Sequence, residues 1–190
     1  MGDGALTATL DDAQSRRVRV LVGGRIPGLR LPDHAGVSTS LSSADVWTVL
    51  YAFPGAYAPS PGAYPPGRGE IPSAAGCTLE ATTYSSHHRE FVAAGARVLG
   101  VSTQRPDQLA AFRAHARLPF GLLSDQDGRL AVALRLPTFL VAGTARLKRV
   151  TLLVDPGGVV QAVQARILDP AASVMDMLAE ALARVTAVPA

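Results

Sequence analysis

One cysteine stands in the 190 residues, and its surroundings suit a nucleophile. Gly76-Cys77-Thr78 opens a helix-like apolar pattern directly after a long stretch rich in Pro, Gly, Ala and Ser. The first turn of a helix carries backbone N–H groups without intrahelical partners and the positive end of the macrodipole, which together favour an anion. This placement predicts a Cys77 thiol of lowered pKa, and the thiolate is the reactive form. Gly76 allows close backbone approach. The competing reading is that a lone cysteine is a small buried hydrophobe. Either way, no internal disulfide and no cysteine-based zinc cage can form.

Other residues that could do chemistry fall away on spacing. His87 and His88 lie 10 and 11 positions after Cys77. On one helix that is roughly 15 Å of rise, too far for direct proton transfer. His34 and His115 could approach Cys77 only through the fold, as in a cysteine hydrolase. No His/Asp/Glu spacing points to a metal, and no cofactor motif is present. Asp155-Pro156-Gly157-Gly158 reads as a hairpin turn rather than a phosphate loop. Glu80, in the first helical turn after Cys77, complements the dipole as a capping residue.

The elements that position Cys77 follow from periodicity. Val46 to Phe53 is a continuous β-rich run, as expected of a central strand buried on both faces. Pro54 to Pro72 reads as a long loop. Leu79, Tyr84, His88 and Phe91 share one face of a single helix stopped by Gly95. Arg97–Ser102 is the next strand, Pro106 starts a helix carrying Leu109, Phe112 and Ala116, and Pro119–Leu123 is a further strand. Asp125 or Asp127 caps a short helix through Leu130 and Leu134, ended by Pro137. Arg149–Val154 and the valines from Val159 form a hairpin around the Asp-Pro-Gly-Gly turn. Asp169-Pro170 caps a closing helix with Val174, Leu178, Leu182 and Val185 as its stripe. This order predicts an α/β three-layer domain with a mixed sheet. Residues 1–23 read as an N-terminal extension and 24–190 as one domain with a 54–72 insertion. Trp47 belongs to the core.

Charged residues make up 17% of the chain, below the roughly 25% usual for soluble domains. The 48% hydrophobic fraction excludes a disordered chain. The formal charge of +3 rests on scattered arginines, with Lys148 the only lysine, so no nucleic-acid footprint is expected. No run approaches the roughly 20 apolar residues of a membrane span, and the N-terminal residues lack a signal-peptide core. A soluble, cytoplasmic protein is expected.

Tyr51-Ala52-Phe53-Pro54 followed by Gly76-Cys77-Thr78-Leu79-Glu80-Ala81 resembles the active-site strand and helix of the peroxiredoxins, in particular the peroxiredoxin Q (bacterioferritin comigratory protein) branch. The resemblance continues through Val98–Thr103, Leu118–Asp125, Arg149–Asp155 and the early Gly28–Asp33, in order, over about residues 24 to 185. It implies a thioredoxin-like α/β/α fold with a central mixed sheet, and thiol-dependent reduction of hydroperoxides through a cysteine sulfenic acid. Carried over by position, Cys77 is the peroxidatic nucleophile and Arg149 holds the thiolate and polarises the peroxide. The amides of Gly76 and Cys77 would stabilise charge developing on oxygen. Glu80 joins the active-site shell, and Tyr51 and Pro54 end the preceding strand.

Two departures accompany the resemblance. The family's Pro-x-x-x-Thr/Ser-x-x-Cys pattern is absent: Glu70 and Ala74 occupy its first and hydroxyl positions, and Pro54 lies 23 residues before Cys77 (77 − 54). Ser73 or Thr78 could supply the missing hydroxyl. The resolving position five residues after Cys77 is Thr82, so a sulfenic acid must be resolved by an external thiol, either a redoxin or a low-molecular-weight thiol. The substrate is a peroxide, with homodimerisation open. Two alternatives remain at this level: the fold recruited to another reaction on a small organic substrate, or a non-catalytic redox-sensing module.

Overall fold

A computed structural model describes residues 8–59 and 74–186. Ser73 and most of the 54–72 loop lie outside the described residues. Among the described residues, fifteen elements follow in chain order. They are α1 (Asp12–Arg19), β1 (Arg30–Pro32), β2 (Ser38–Ser40), β3 (Trp47–Ala52), α2 (Ala74–Ser86), α3 (His88–Ala93), β4 (Ala96–Ser102), α4 (Pro106–His115), β5 (Gly121–Ser124), α5 (Arg129–Ala133), β6 (Thr138–Val141), β7 (Thr144–Leu147), β8 (Val150–Val154), β9 (Val160–Ala165) and α6 (Pro170–Thr186).

The central sheet runs β5-β4-β3-β8-β9, with β3, β4 and β5 parallel and the last two strands antiparallel. This is the mixed sheet expected, and every residue of β3 is buried, as a central strand covered on both faces requires. Alternate residues divide between two cores. Val49, Tyr51 and Phe53 pack with Tyr84, Phe91, Leu109, Phe112 and Met177 under α2, α3, α4 and α6. Leu50 and Ala52 face the other way, onto Val18, Leu130, Leu134 and Val150 under α1 and α5. The result is three layers, helices on both sides of the sheet.

Several boundaries have identifiable causes. Asp11 caps α1 in a capping box with Gln14. The Asp155–Gly158 turn joins β8 to β9, with Gly158 at φ +79°. The Asp169 carboxylate accepts from the amides of Ala171 and Ala172 at the start of α6. Asp125 caps α5, but from outside the N-cap position, which Gly128 fills in a left-handed conformation. Of the stretch 1–23 read from sequence as an extension, the described residues 8–23 lie against the sheet through buried Leu10 and Val18, and Arg149 N–H donates to Ala8 O.

Three expectations are corrected. The single helix from Gly76 to Gly95 is two, because the chain breaks at His87 (φ −100°, ψ 11°). The closing helix buries Val174, Met177, Leu178 and Ala181, whereas Leu182 is 44% exposed. Leu79 is likewise 49% exposed, so the buried face of α2 is Cys77, Ala81 and Tyr84. The β1–β2 and β6–β7 hairpins have no counterpart in the sequence pattern, because three- and four-residue strands give too few alternations to read.

Candidate active site

Cys77 is the fourth residue of α2 and is fully buried at the carboxyl end of β3. Its thiol does not stand alone. Arg149 Nη2 donates to Cys77 Sγ at 3.1 Å, and Arg149 Nη1 donates to Glu80 Oε2 at 2.5 Å. One guanidinium therefore serves a thiol and a carboxylate with two fixed donors, which its planar fork allows and an ammonium would not. Cys77 and Glu80 come together because they are three apart on α2, one turn of the same face. Arg149 arrives from the residue before β8, the strand paired with β3 in the register Ala52 to Val150. The main-chain amide of Gly55, in the loop leaving β3, is a further influence that favours the thiolate.

The electrostatics correct one expectation. Burial pushes the Cys77 thiol up rather than down, with Arg149 the largest opposing influence, followed by the Gly55 amide. The helix start alone does not overcome complete removal from water. Burial also raises the Glu80 carboxyl to about 7, again against the pull of Arg149. Glu80 and Cys77 thus compete for one cation, since an ionised Glu80 raises the thiol. Glu80 Oε1 is buried without a hydrogen-bond partner. Arg149, 2% exposed, is held firmly protonated by its two acidic neighbours despite its own burial.

An aromatic stack forms the apolar wall. Tyr51 lies 4.6 Å from Tyr84 and 5.5 Å from Phe53 between ring centroids. Its hydroxyl is pushed well up by burial, then by Glu80. Gly100 on β4 makes room for that ring: a Cβ there would sit 2.8 Å from Tyr51 Cζ and Oη and 2.7 Å from Leu122 Cδ2. The glycine of the Arg97–Ser102 strand is therefore part of the site's support.

The AhpC/TSA family model matches residues 71–163, a stretch that contains Cys77, Glu80 and Arg149. Chloroplastic peroxiredoxin Q of Sedum lineare is 31% identical over 146 residues, covering 76% of this chain and 69% of the relative. The chain belongs to the peroxiredoxin family. A Mycobacterium tuberculosis relative, provisionally named a peroxiredoxin, is 30% identical over 120 residues. That match covers 63% of this chain, which thus spans 66% of the relative's length, a little under two thirds. Among solved structures, the peroxidoxin BcpB of M. tuberculosis is similar at a TM-score of 0.69 and 26% identity, covering 89% of this chain and 98% of that one. This likeness matches the thioredoxin-like arrangement seen in the sheet.

Of the residues singled out from sequence, this peroxiredoxin's fold brings together Cys77, Glu80, Arg149 and Tyr51. Pro54 is buried at the end of β3, and its carbonyl faces Ser102 Oγ at 3.5 Å. Gly76 is in the first turn of α2, and Thr78 is half-buried beside Cys77. The Thr82 hydroxyl donates to the carbonyls of Thr78 and Leu79, within its own helix. The histidines stay away: His87 pairs with Glu90 at 2.8 Å, His88 lies against Phe120, and His115 is exposed. The pattern gives no sign of Gly55 or Gln104. Gln104 is fully buried and bonds both polar groups of Ala56, and only its place straight after Val101-Ser102-Thr103 hints at it.

Proposed function

We propose that this peroxiredoxin is a thiol peroxidase that reduces hydrogen peroxide or an organic hydroperoxide at Cys77. The observation that carries the reading is the 3.1 Å contact between Arg149 Nη2 and Cys77 Sγ inside a buried site. In the reaction the Cys77 thiolate attacks the distal peroxide oxygen. A sulfur–oxygen bond forms, the O–O bond breaks, and the leaving alkoxide or hydroxide takes a proton to become alcohol or water. Sulfur is oxidised by two electrons and the peroxide is reduced by two. Arg149 stabilises the thiolate and the departing oxygen, and the Gly76 and Cys77 amides lie at the helix start where charge develops. Protonation of Glu80, favoured up to about pH 7, removes the carboxylate that competes with the thiolate for Arg149.

The sulfenic acid is then resolved by an external thiol, from a redoxin or a low-molecular-weight reductant. The lone cysteine requires this, because no second thiol exists in the sequence. Thr78 or Ser73 supplies the hydroxyl for which Ala74 has no group. The catalytic domain is 24–190, with 1–23 as an extension and homodimerisation through a sheet edge or the 54–72 loop. A cytoplasmic location, where thiol reductants are abundant, fits this chemistry. Among the described residues, no helix is long and apolar enough to cross a membrane.

The test is intact mass and dimedone labelling after stoichiometric hydrogen peroxide, with Cys77→Ser as control. Rapid gain of one oxygen, trapped at Cys77, is expected. An inert Cys77 in the folded protein overturns the reading.

A further inference from the structure

We infer that Glu80 is the general acid of the peroxide reaction: it takes the proton that Cys77 gives up and hands it to the oxygen that leaves. This inference deepens the peroxidase reading and rests on it. Cys77 and Glu80 are fully buried and Arg149 is 2% exposed, so one cation serves two acids away from solvent. Ionising both acids would leave a negative charge uncompensated among Tyr51, Phe53 and Tyr84. Buried groups escape that cost by keeping a proton. The site therefore holds one proton between sulfur and carboxyl. When the thiolate forms, the proton is on Glu80, and the trio of thiolate, guanidinium and carboxylic acid is neutral.

The geometry puts that proton where the reaction uses it. Residues three apart on a helix stand roughly 5–6 Å apart at Cβ, so Cys77 and Glu80 share one face of α2. Arg149 bridges them, with Nη2 3.1 Å from Cys77 Sγ and Nη1 2.5 Å from Glu80 Oε2. The other oxygen, Glu80 Oε1, is buried with no hydrogen-bond partner among the described residues. A peroxide on the sulfur brings its leaving oxygen within reach of this carboxyl, directly or through one water. Other donors fail. The Tyr51 and Tyr84 hydroxyls are pushed well up by burial and hold their protons at neutral pH. His87 is paired with Glu90, and His88 lies against Phe120. Burial keeps Glu80 near neutrality, where a general acid works best.

Atoms and charge balance through the step. The thiolate attacks the distal peroxide oxygen, the sulfur–oxygen bond forms as the O–O bond breaks, and two electrons pass from sulfur to peroxide. The sulfenic acid keeps the hydrogen of the attacked oxygen, and the departing alkoxide or hydroxide takes the Glu80 proton. A neutral sulfenic acid then stands beside a Glu80–Arg149 ion pair, so no buried charge is left unpaired.

The experiment compares three rates at Cys77 in wild type and Glu80→Gln: alkylation by iodoacetamide, oxidation by hydrogen peroxide and oxidation by peroxyacetic acid. Glutamine keeps the shape and an oxygen for Arg149 but carries no acidic proton. Iodoacetamide needs only the thiolate, and peroxyacetic acid releases acetate, which leaves without a proton. Glu80→Gln should slow oxidation by hydrogen peroxide about 100-fold and oxidation by peroxyacetic acid less than about three-fold. Alkylation at neutral pH should be no slower than in wild type, because an ionised Glu80 raises the thiol. A residue that merely orients Arg149 would move all three rates together. A parallel loss of all three, or unchanged oxidation by hydrogen peroxide, overturns the inference. A second measurement needs no variant: in D2O, wild-type oxidation by hydrogen peroxide should slow more than oxidation by peroxyacetic acid, and equal isotope effects overturn the inference as well. Wild-type Cys77 that takes no oxygen from hydrogen peroxide refutes the peroxidase reading itself. Wild-type Cys77 that reacts, with both oxidants slowed alike in Glu80→Gln, refutes only the general acid.

Discussion

Among the described residues two carboxylates are buried, and they lead to opposite conclusions. Asp125, 1% exposed at the end of β5, has both oxygens occupied: Oδ1 accepts from Leu130 N–H and Oδ2 from Ala131 N–H. Glu80, fully buried on α2, has one oxygen on Arg149 and the other without a partner. Burial raises the carboxyl in both cases. For Asp125, the main opposing influences are backbone amides, which cannot move charge elsewhere. For Glu80 the opposing influence is a guanidinium that also serves a thiol. A buried acid whose bonds are closed within one helix terminus is structural. A buried acid with an open oxygen and a shared cation belongs to a site whose charge can be redistributed.

The comparison can be broken most severely at the sulfur. Cys77→Ser should abolish oxygen uptake on peroxide treatment while circular dichroism stays unchanged, as mass spectrometry of the treated protein will read. Next in size is Arg149→Met. It removes the guanidinium that donates to Glu80 and should slow Cys77 oxidation roughly 100-fold. It should also cost about 3 kcal/mol of stability, because it strands a buried acid. Adding Glu80→Gln to Arg149→Met should recover much of that stability in urea unfolding and little of the rate. A double variant no more stable than Arg149→Met would mean that the charge on Glu80 is not what the arginine offsets.

At Asp125 the expected pattern reverses. Asp125→Ala should cost about 1–2 kcal/mol through loss of two capping bonds, with Cys77 oxidation within about two-fold of wild type. A large rate loss there would erase the distinction between the two acids. Gly100→Ala tests the support under Tyr51. With a Cβ forced to 2.7–2.8 Å from Leu122 and Tyr51, it should cost about 1–3 kcal/mol, measured by thermal unfolding.

The smallest effect sharpens the comparison through pH. In the folded state Glu80 keeps its proton up to about 7, above the ordinary carboxylate range of the unfolded chain. The folded state then binds more protons between those values. This group's contribution to stability is therefore present on the acid side and is lost as pH rises through about 7. Glu80→Gln should flatten the decline in unfolding free energy between about pH 5 and about pH 7. An identical slope in wild type and Glu80→Gln would show that the carboxyl titrates in the ordinary range.

Much of the scaffold was legible because its signals are local. The β-branched run at Trp47–Ala52, Pro106 at the start of a helix, the Asp-Pro-Gly-Gly turn and the Asp169-Pro170 cap each act within a few residues. The helix break at His87 was not legible, since neither Pro nor Gly marks it. Nor was the outward turn of Leu79 and Leu182, because periodicity locates a face only to within the neighbouring position and the packing of α2 against α6 selects which. In the site, Cys77, Glu80 and Arg149 could be named through ordered resemblance. Gly55 and Gln104 could not, because a glycine after a strand and a glutamine before a helix are unremarkable as residues.

The sequence by itself determined the five strands of the central sheet and most of the helices, the placement of a single thiol near a helix start, and the need for an outside thiol to resolve it. These are properties of neighbours along the chain: turn chemistry, capping and side-chain period. Only the tertiary structure decided the state of that thiol. Arg149 reaches Cys77 across 72 positions and Gln104 reaches Ala56 across 48, both joined through the β3-centred sheet. The helix start alone predicts an acidic thiol. Complete burial, a shared cation and a neighbouring carboxylate set its actual balance, because removal from water acts on the whole site at once and depends on every element that covers it.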